Sequence, residues 1–293
     1  MLKYSELSLV ASVMLIAIGL ISYILVLTLG RSVQQPVTTQ SGGSGAAAEA
    51  TTTPPPRSLT LYGTYFTWIA LFFLTVTLVL RTIVTGHGPF SNQYEFAVAF
   101  AWGSILAYVY FEHRYHVRTL ALLVLPIALA LSLYAMSVGA TPTTLPPALQ
   151  QSFLLTVHVV VAIVAYGAFS VAFAAAVLHL VQPQGGRRGL PKPALLDEIG
   201  YRAVIVAFPL LTMTVILGAI WAEIAWGRYW SWDPKESASL LIWLIYGAYL
   251  HARVVHGWRG RRSAWLLVAG FAAVLFTFFG NLFFGGLHSY GGV

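Results

Sequence analysis

The stretch SFLLTVHVVVAIVAYGAF, from Ser152 to Phe169, contains no Asp, Glu, Lys or Arg. It opens a longer apolar segment, residues 152–181, and one membrane-spanning helix needs about 20 such residues. The sequence therefore predicts an all-α fold, a polytopic membrane bundle of about eight transmembrane helices. The seven other segments with this length and apolarity are 7–29, 60–85, 94–111, 118–138, 200–224, 237–257 and 264–285.

The composition of the whole chain agrees with a membrane protein. Of its 293 residues, 58% are hydrophobic and 9% are charged, and the mean hydropathy is +0.77. A soluble domain carries about 25% charged residues, so this class is excluded. The net charge of +7 is attributed to basic residues that orient the helices in the membrane, so it does not indicate a nucleic-acid partner. The chain has no cysteine, which excludes disulfides, thiolate metal sites and redox-active thiols.

Three parts of the chain differ in composition. Residues 1–30 are predicted to form an N-terminal transmembrane anchor, because they lack the basic leader and cleavage site of a signal peptide. Residues 31–58 are rich in Gly, Ser, Thr, Ala and Pro, which predicts a disordered linker. Residues 59–293 are predicted to form the main membrane domain, in which the loop 221–236 is the most unusual segment.

The distribution of Lys and Arg predicts the orientation. If both termini lie outside, the inner loops and helix ends hold twelve of the sixteen basic residues. Basic residues accumulate on the cytoplasmic side of membrane proteins. The prediction is therefore N-out and C-out, with the loop 221–236 on the extracytoplasmic side. Only Lys3, Arg81, Arg228 and Lys235 lie outside.

The loop sequence WGRYWSWDPKES, Trp226 to Ser237, admits two interpretations. Tryptophan is common at membrane interfaces, and Asp233 and Glu236 fit a capping box at a helix start. However, four tryptophans fall within twelve residues once Trp221 is counted. Such clustered indoles make a flat apolar platform suited to a planar ligand, and the adjacent charges could meet polar groups on its edge.

The pattern Trp226-Gly227-x-x-Trp230-x-Trp232-Asp233 resembles the WWD signature of the haem-handling membrane proteins of cytochrome c maturation. Its continuation DPKES…LLIWLIYGAYLHAR most resembles the CcsA (ResC) branch of the system II cytochrome c synthase. The stretches GHGPFSNQYE, residues 86–95, and GGLHSY, residues 285–290, agree with that branch. The resemblance covers about residues 60–293 and leaves the first helix and the linker outside.

The resemblance implies a haem-transporting and haem-presenting subunit of a cytochrome c haem lyase (synthase) complex. Its substrate or cofactor would be haem b, moved across the membrane and held outside for thioether attachment to the Cys-x-x-Cys-His motif of apocytochrome c. The implied partners are a CcsB (ResB) membrane subunit, apocytochrome c, thiol-reducing thioredoxin-like proteins and membrane lipid. The implied location is the bacterial inner membrane, or the thylakoid membrane for a plastid-derived chain.

Two histidines are the candidates for an external haem site. His158 lies about two turns inside the fifth helix, where a polar residue is costly unless it faces a partner or a cavity. His288 follows the last helix, so both can approach the tryptophan loop. The resemblance makes them axial ligands of the haem iron, with Trp226, Trp230, Trp232 and Asp233 as the haem platform.

His251 is predicted to lie in the inner half of the seventh helix. The small residues Gly247 and Ala248, about one turn outward, would leave room for a flat ring. The resemblance makes His251 an iron ligand of a second, intramembrane haem, with the opposite ligand on the CcsB-type partner. His87 and Glu236 are two further candidate haem-site residues without an assigned role.

Two alternative functions remain open at this point. The first is a haem exporter of the related WWD family. The second is a non-haem transporter whose tryptophans form only an interfacial belt. A coupled transporter needs intramembrane charges along a path, whereas Glu223 and Arg81 are both predicted near the outer edge.

Overall fold

The computed structural model describes residues 1–32, 57–88, 90–141, 145, 147–150, 152–183, 186, 189–280 and 283–288. These residues form eight α-helices and two short 3-10 turns, and no strand occurs among them. The helices are α1 (Leu2–Ser32), α2 (Arg57–Thr85), α3 (Gln93–Tyr115), α4 (Ala121–Val138), α5 (Ser152–Leu180), α6 (Pro193–Trp226), α7 (Pro234–Val254) and α8 (Arg261–Gly280). The predicted all-α bundle is confirmed. Most of the predicted linker, residues 33–56, lies outside the described residues.

Seven of these eight helices are long and apolar enough to span a membrane. The exception is α7, whose 21 residues have the necessary length at about 1.5 Å per residue. It is less apolar because Lys235 and Glu236 occupy its first turn and His251 and Arg253 its last. The helix with the weakest hydrophobic signal is therefore the one that begins at the tryptophan loop.

The core of the bundle lies around α5, which packs against α3, α6 and α8. Gly103 of α3 allows α5 to approach α3 closely. A Cβ atom at Gly103 would lie 2.6 Å from the carbonyl oxygen of Ile163, a distance that no side chain tolerates. The backbones of α3 and α5 are consequently in contact, and this positions the first turns of both helices side by side.

The first helix belongs to the same bundle, because α1 packs against α2 and α4. The hydroxyl of Tyr23 on α1 donates to Glu112 Oε2 near the end of α3, at 3.1 Å. Thr64 on α2 donates to the other oxygen of this carboxylate, and Arg118 pairs with it at 3.3 Å. A buried acid thus joins α1 and α2 to α3. The division into an anchor and a main domain stays a prediction.

Ion pairs join the ends of neighbouring helices at both faces of the bundle. At the end of α2, Arg81 Nε pairs with Glu95 Oε1 of α3 at 2.8 Å, and both side chains are buried. At the opposite face, Arg253 of α7 pairs with Asp197 of α6 at 2.5 Å. Asp197 also accepts from the backbone of Gly260 at 2.9 Å, just before α8. We call the face with the Arg81–Glu95 pair the tryptophan face, because the loop between α6 and α7 lies there. The face with the Arg253–Asp197 pair is the basic face.

Candidate functional site

A cavity of about 1440 Å³, a volume that includes its open mouth, lies at the tryptophan face. The first turns of α3, α5 and α7 and the last turns of α6 and α8 surround it. Its walls are mainly aromatic and aliphatic, with a few polar groups. The aromatic lining residues are Phe90, Phe96, Phe100, Tyr166, Trp221, Tyr229, Trp230 and Phe278, and the ionisable ones besides tyrosine are His158, Lys235, Glu236 and His288.

His158 lies in the second turn of α5, the depth that the sequence predicted, and its side chain lines this cavity. Its Nδ1 is 2.8 Å from the carbonyl oxygen of Thr214 on α6. A carbonyl oxygen only accepts, so Nδ1 carries the proton and Nε2 the lone pair. Gly218, one turn further along α6, provides the space for the ring. A hydrogen-bonded Nδ1 with a basic Nε2 is the arrangement of a metal-ligating histidine.

His288 lines the same cavity from the segment that follows α8. Its Nδ1 is 2.8 Å from Asp233 Oδ1, and its ring meets Trp226 edge to face at 4.8 Å between centroids. A Cβ atom at Gly286 would overlap the carboxylate of Asp233. The glycine therefore allows the segment to approach α7 closely enough for this hydrogen bond.

Electrostatics favour a charged Asp233 beside a neutral His288. Burial lowers the pKa of His288, and the hydrogen bond to Asp233 offsets only part of this effect. For Asp233, burial opposes ionisation, but hydrogen bonds from His288 and from the backbone of Lys235 outweigh it and lower the pKa to about 2. At neutral pH the imidazole is therefore uncharged, which is the form in which a histidine can coordinate a metal.

Glu236 stabilises the tryptophan loop through hydrogen bonds from the loop backbone. Its Oε2 accepts from the backbone N–H groups of Ser231 at 2.8 Å and Asp233 at 3.2 Å. Asp233 in turn accepts from the backbone of Lys235 at 2.9 Å, which completes the predicted capping box. Asp233 is therefore both the cap of α7 and the partner of His288.

The three tryptophans of the signature have three different environments, and their shared role as a haem platform stays a prediction. Trp230 lines the cavity, whereas Trp226 packs against His288 and against Trp221, the latter at 4.7 Å. Trp232 is 71% exposed. Its backbone has φ of 58°, in the left-handed region, and its indole packs edge to face on that of Trp230, at 5.9 Å between centroids, without lining the cavity.

His251 and His87 both lie away from the cavity lining. His251 is exposed near the basic face, and its ring lies 5.3 Å from that of His256, which follows α7. Ala248 is exposed with it, while the space beside Gly247 is bounded by Phe208 at 3.6 Å. His87 is buried, with Nδ1 bound to the carbonyl of Gly88 at 2.8 Å. Its ring lies 6.0 Å from that of Phe90, which lines the cavity.

Three residues of this site were not predicted from the sequence. Thr214 and Gly218 fix the ring of His158 from α6, and Lys235 contributes a cation to the lining. Glycine and threonine are ordinary in membrane helices, so neither carried a signal. The DPKE stretch contains Lys235, but the direction of the lysine side chain depends on the capping geometry at the start of α7.

Fold and site together define a polytopic helical membrane protein with a histidine- and tryptophan-lined cavity at one face. Its sequence matches the family profile described as Cytochrome C assembly protein over residues 90–288. It is 36% identical over 260 residues to the cytochrome c biogenesis protein CcsA of Guillardia theta, covering 78% of this chain and 85% of that one. The corresponding CcsA of Synechococcus sp. (strain RCC307) is 37% identical over 254 residues, with 74% and 81% covered.

The chain therefore belongs to the CcsA family of cytochrome c biogenesis proteins. This confirms the resemblance read from the sequence motifs. Among solved structures, the cytochrome c haem lyase CcmF superposes with a TM-score of 0.62 at 20% identity. The match covers 95% of this chain and 46% of CcmF, and at that identity it shows a shared fold alone.

Proposed function

We propose that this chain holds haem b as its substrate in the cavity at the tryptophan face, with His158 and His288 as the two axial ligands. The observation that supports this most directly is their common setting. Both line one cavity, and each has its Nδ1 engaged by an acceptor on another segment. Nε2 of each ring is then the nitrogen that ligates iron.

The composition of the lining fits a porphyrin. A porphyrin supplies four equatorial nitrogens, so the protein needs only two further ligands. In the described part of the chain, no cluster of three or more His, Cys, Asp or Glu could hold a bare metal ion. The aromatic walls, with Trp221 and Trp230 among them, suit a large flat apolar molecule.

The proposed reaction is attachment of the bound haem to apocytochrome c. Each cysteine S–H of the Cys-x-x-Cys-His motif adds across a haem vinyl group, with sulfur bonding one carbon and the proton going to the other. The protein supplies position, axial ligation and exclusion of competing reactions. A chain without cysteine offers no thiol of its own to compete with those of the substrate.

The haem is proposed to arrive through the membrane from the basic face. His251 supports this proposal, because it is exposed on α7 where a second subunit could reach it. We propose a CcsB (ResB)-type subunit as the donor of the opposite ligand, and thioredoxin-like proteins as the source of reduced apocytochrome. We propose that the tryptophan face is extracytoplasmic, and the distribution of basic residues supports this, because twelve of the sixteen then lie inside.

The test is the absorption spectrum of the purified protein. His158→Gly and His288→Gly should each abolish the low-spin Soret band of the bound haem, and added imidazole should restore part of it by occupying the vacated position. His87→Gly is the matched control, because His87 lies at the same face outside the cavity lining. Unchanged spectra in both ligand variants would refute the assignment.

A further inference from the structure

Lys235 is a cation inside a cavity whose walls are mainly apolar. It is the second residue of α7, and its side chain lines the cavity together with the two histidines. Its Nζ lies over the ring of Phe96 on α3, 4.8 Å from the centroid. Phe96 also lines the cavity, so the cation of Lys235 lies at the wall of the ligand space.

No carboxylate in the described part of the chain forms an ion pair with Lys235. The two acids nearest to it in sequence are committed elsewhere. Asp233 accepts from His288 and from the backbone of Lys235, while Glu236 accepts from Ser231 and from the backbone of Asp233. The charge of Lys235 is therefore not neutralised by a hydrogen-bonded protein partner.

The position of Lys235 in its helix is also unfavourable for a cation. The first turn of a helix presents unpaired backbone N–H groups and the positive end of the helix dipole, which favour acidic side chains. A lysine there adds to that positive potential. Such a site attracts an anion. An anion bound here would lie beside the first turns of α3 and α7.

We propose that Lys235 anchors a carboxylate of the haem substrate inside this cavity. This inference rests on the function proposed above, which places haem between His158 and His288. Haem b carries two carboxylates along one edge, and burial of a carboxylate without a counter-charge is costly. An ion pair with Lys235 sets that edge against α7, and the vinyl groups on the opposite edge then face away from Lys235.

The experiment compares two ligands, haem b and haem b dimethyl ester, in which both carboxylates are blocked. Each is titrated into the purified full-length chain after removal of endogenous haem. Lys235→Met keeps the stem and removes the charge. We expect it to weaken haem b binding on the order of tenfold, the scale of one charge-assisted hydrogen bond. Binding of the dimethyl ester should not change, and the low-spin spectrum should persist with both ligands.

Two further variants define the controls. Lys235→Arg keeps the charge and should retain most of the haem b affinity. Arg228→Met removes an exposed cation from the same loop outside the cavity lining, so it tests general electrostatic attraction and should leave both affinities unchanged.

Three outcomes would overturn the inference. One is an equal loss for both ligands in Lys235→Met, which would indicate a packing role. Another is an unchanged haem b affinity, as expected if Lys235 contacts lipid headgroups instead. The third is a wild-type chain that takes up neither ligand with a low-spin spectrum. That result would overturn the proposed function together with the inference, whereas the first two leave the function intact.

Discussion

Gly218 of α6 faces the imidazole of His158 on α5 with no room for a side chain between them. A Cβ atom at Gly218 would lie 2.8 Å from His158 Cε1 and 3.2 Å from Nδ1. The carbonyl that binds Nδ1 belongs to Thr214, one turn earlier on the same helix. One face of α6 thus sets both the position and the tautomer of the histidine.

Gly218→Ala should displace His158 and break its hydrogen bond to Thr214. We expect loss of most of the low-spin haem signal, with partial recovery on addition of imidazole, because the ligand moves while the cavity remains. Gly247→Ala is the matched control. Its Cβ atom would meet Phe208 at 3.6 Å, an ordinary contact, so the spectrum should be unchanged. A normal spectrum in Gly218→Ala would show that His158 is not held by α6.

Asp233 has two roles that two substitutions can separate. Asn caps a helix about as well as Asp and can still accept from His288 Nδ1, but it lacks the charge. Asp233→Asn should therefore keep haem bound and raise its reduction potential, because a neutral partner makes the imidazole less electron-donating. Asp233→Ala should also lose the cap, worth about 0.5–2 kcal/mol. Equal potentials in wild type and Asp233→Asn, by redox titration, would contradict a charged partner.

Acid should weaken the solubilised protein in two pH ranges. His288 has a pKa below its ordinary 6.5, so folding favours its neutral form and stability falls as pH drops below 6.5. Asp233 has a pKa of about 2 against an ordinary 3.8, so its contribution is present above about pH 4 and lost towards pH 2. Thermal unfolding against pH should show both ranges in wild type. Asp233→Asn should lack the lower one, and an unaltered profile would contradict the pairing.

Trp226 and Trp232 should differ although both belong to one motif. Trp226→Ala removes an aromatic neighbour of His288 and should broaden or shift the haem spectrum and weaken retention. Trp232→Gly should keep the haem, since this indole is 71% exposed. The variant loses an edge-to-face contact with Trp230, but glycine adopts φ of 58° without strain, so stability should change little. Haem content and thermal unfolding measure both effects, and equal haem loss in the two variants would support a shared platform role.

The length and apolarity of the segments were sufficient to predict the bundle, and helix position predicted how far His158 lies from the end of α5. The capping box at Asp233 was also visible, because it depends on residues three apart in one chain. The remainder depends on contacts between distant segments. Nothing local indicates that Gly218 faces His158, that Asp233 meets His288, or that Trp232 turns outward.

His251 provides the last test, which concerns the transit of haem. Its ring is exposed near the basic face beside that of His256, at 5.3 Å, and far along α7 from the cavity at the tryptophan face. If haem passes this point, His251→Ala expressed with a CcsB-type subunit should lose haem from that cavity as well, although neither of its proposed ligands has changed. His256→Ala, which removes the neighbouring ring, is the control and should retain haem in the cavity.

The measurement is haem content per chain together with the amount of matured cytochrome c. Haem added to the purified protein should refill the cavity at the tryptophan face of His251→Ala, since His158 and His288 remain in place. This rescue separates a transit role from a folding defect, because a misfolded chain would not recover its low-spin spectrum. Full haem content and normal maturation in His251→Ala would leave His251 as a histidine at the protein surface without a part in haem delivery.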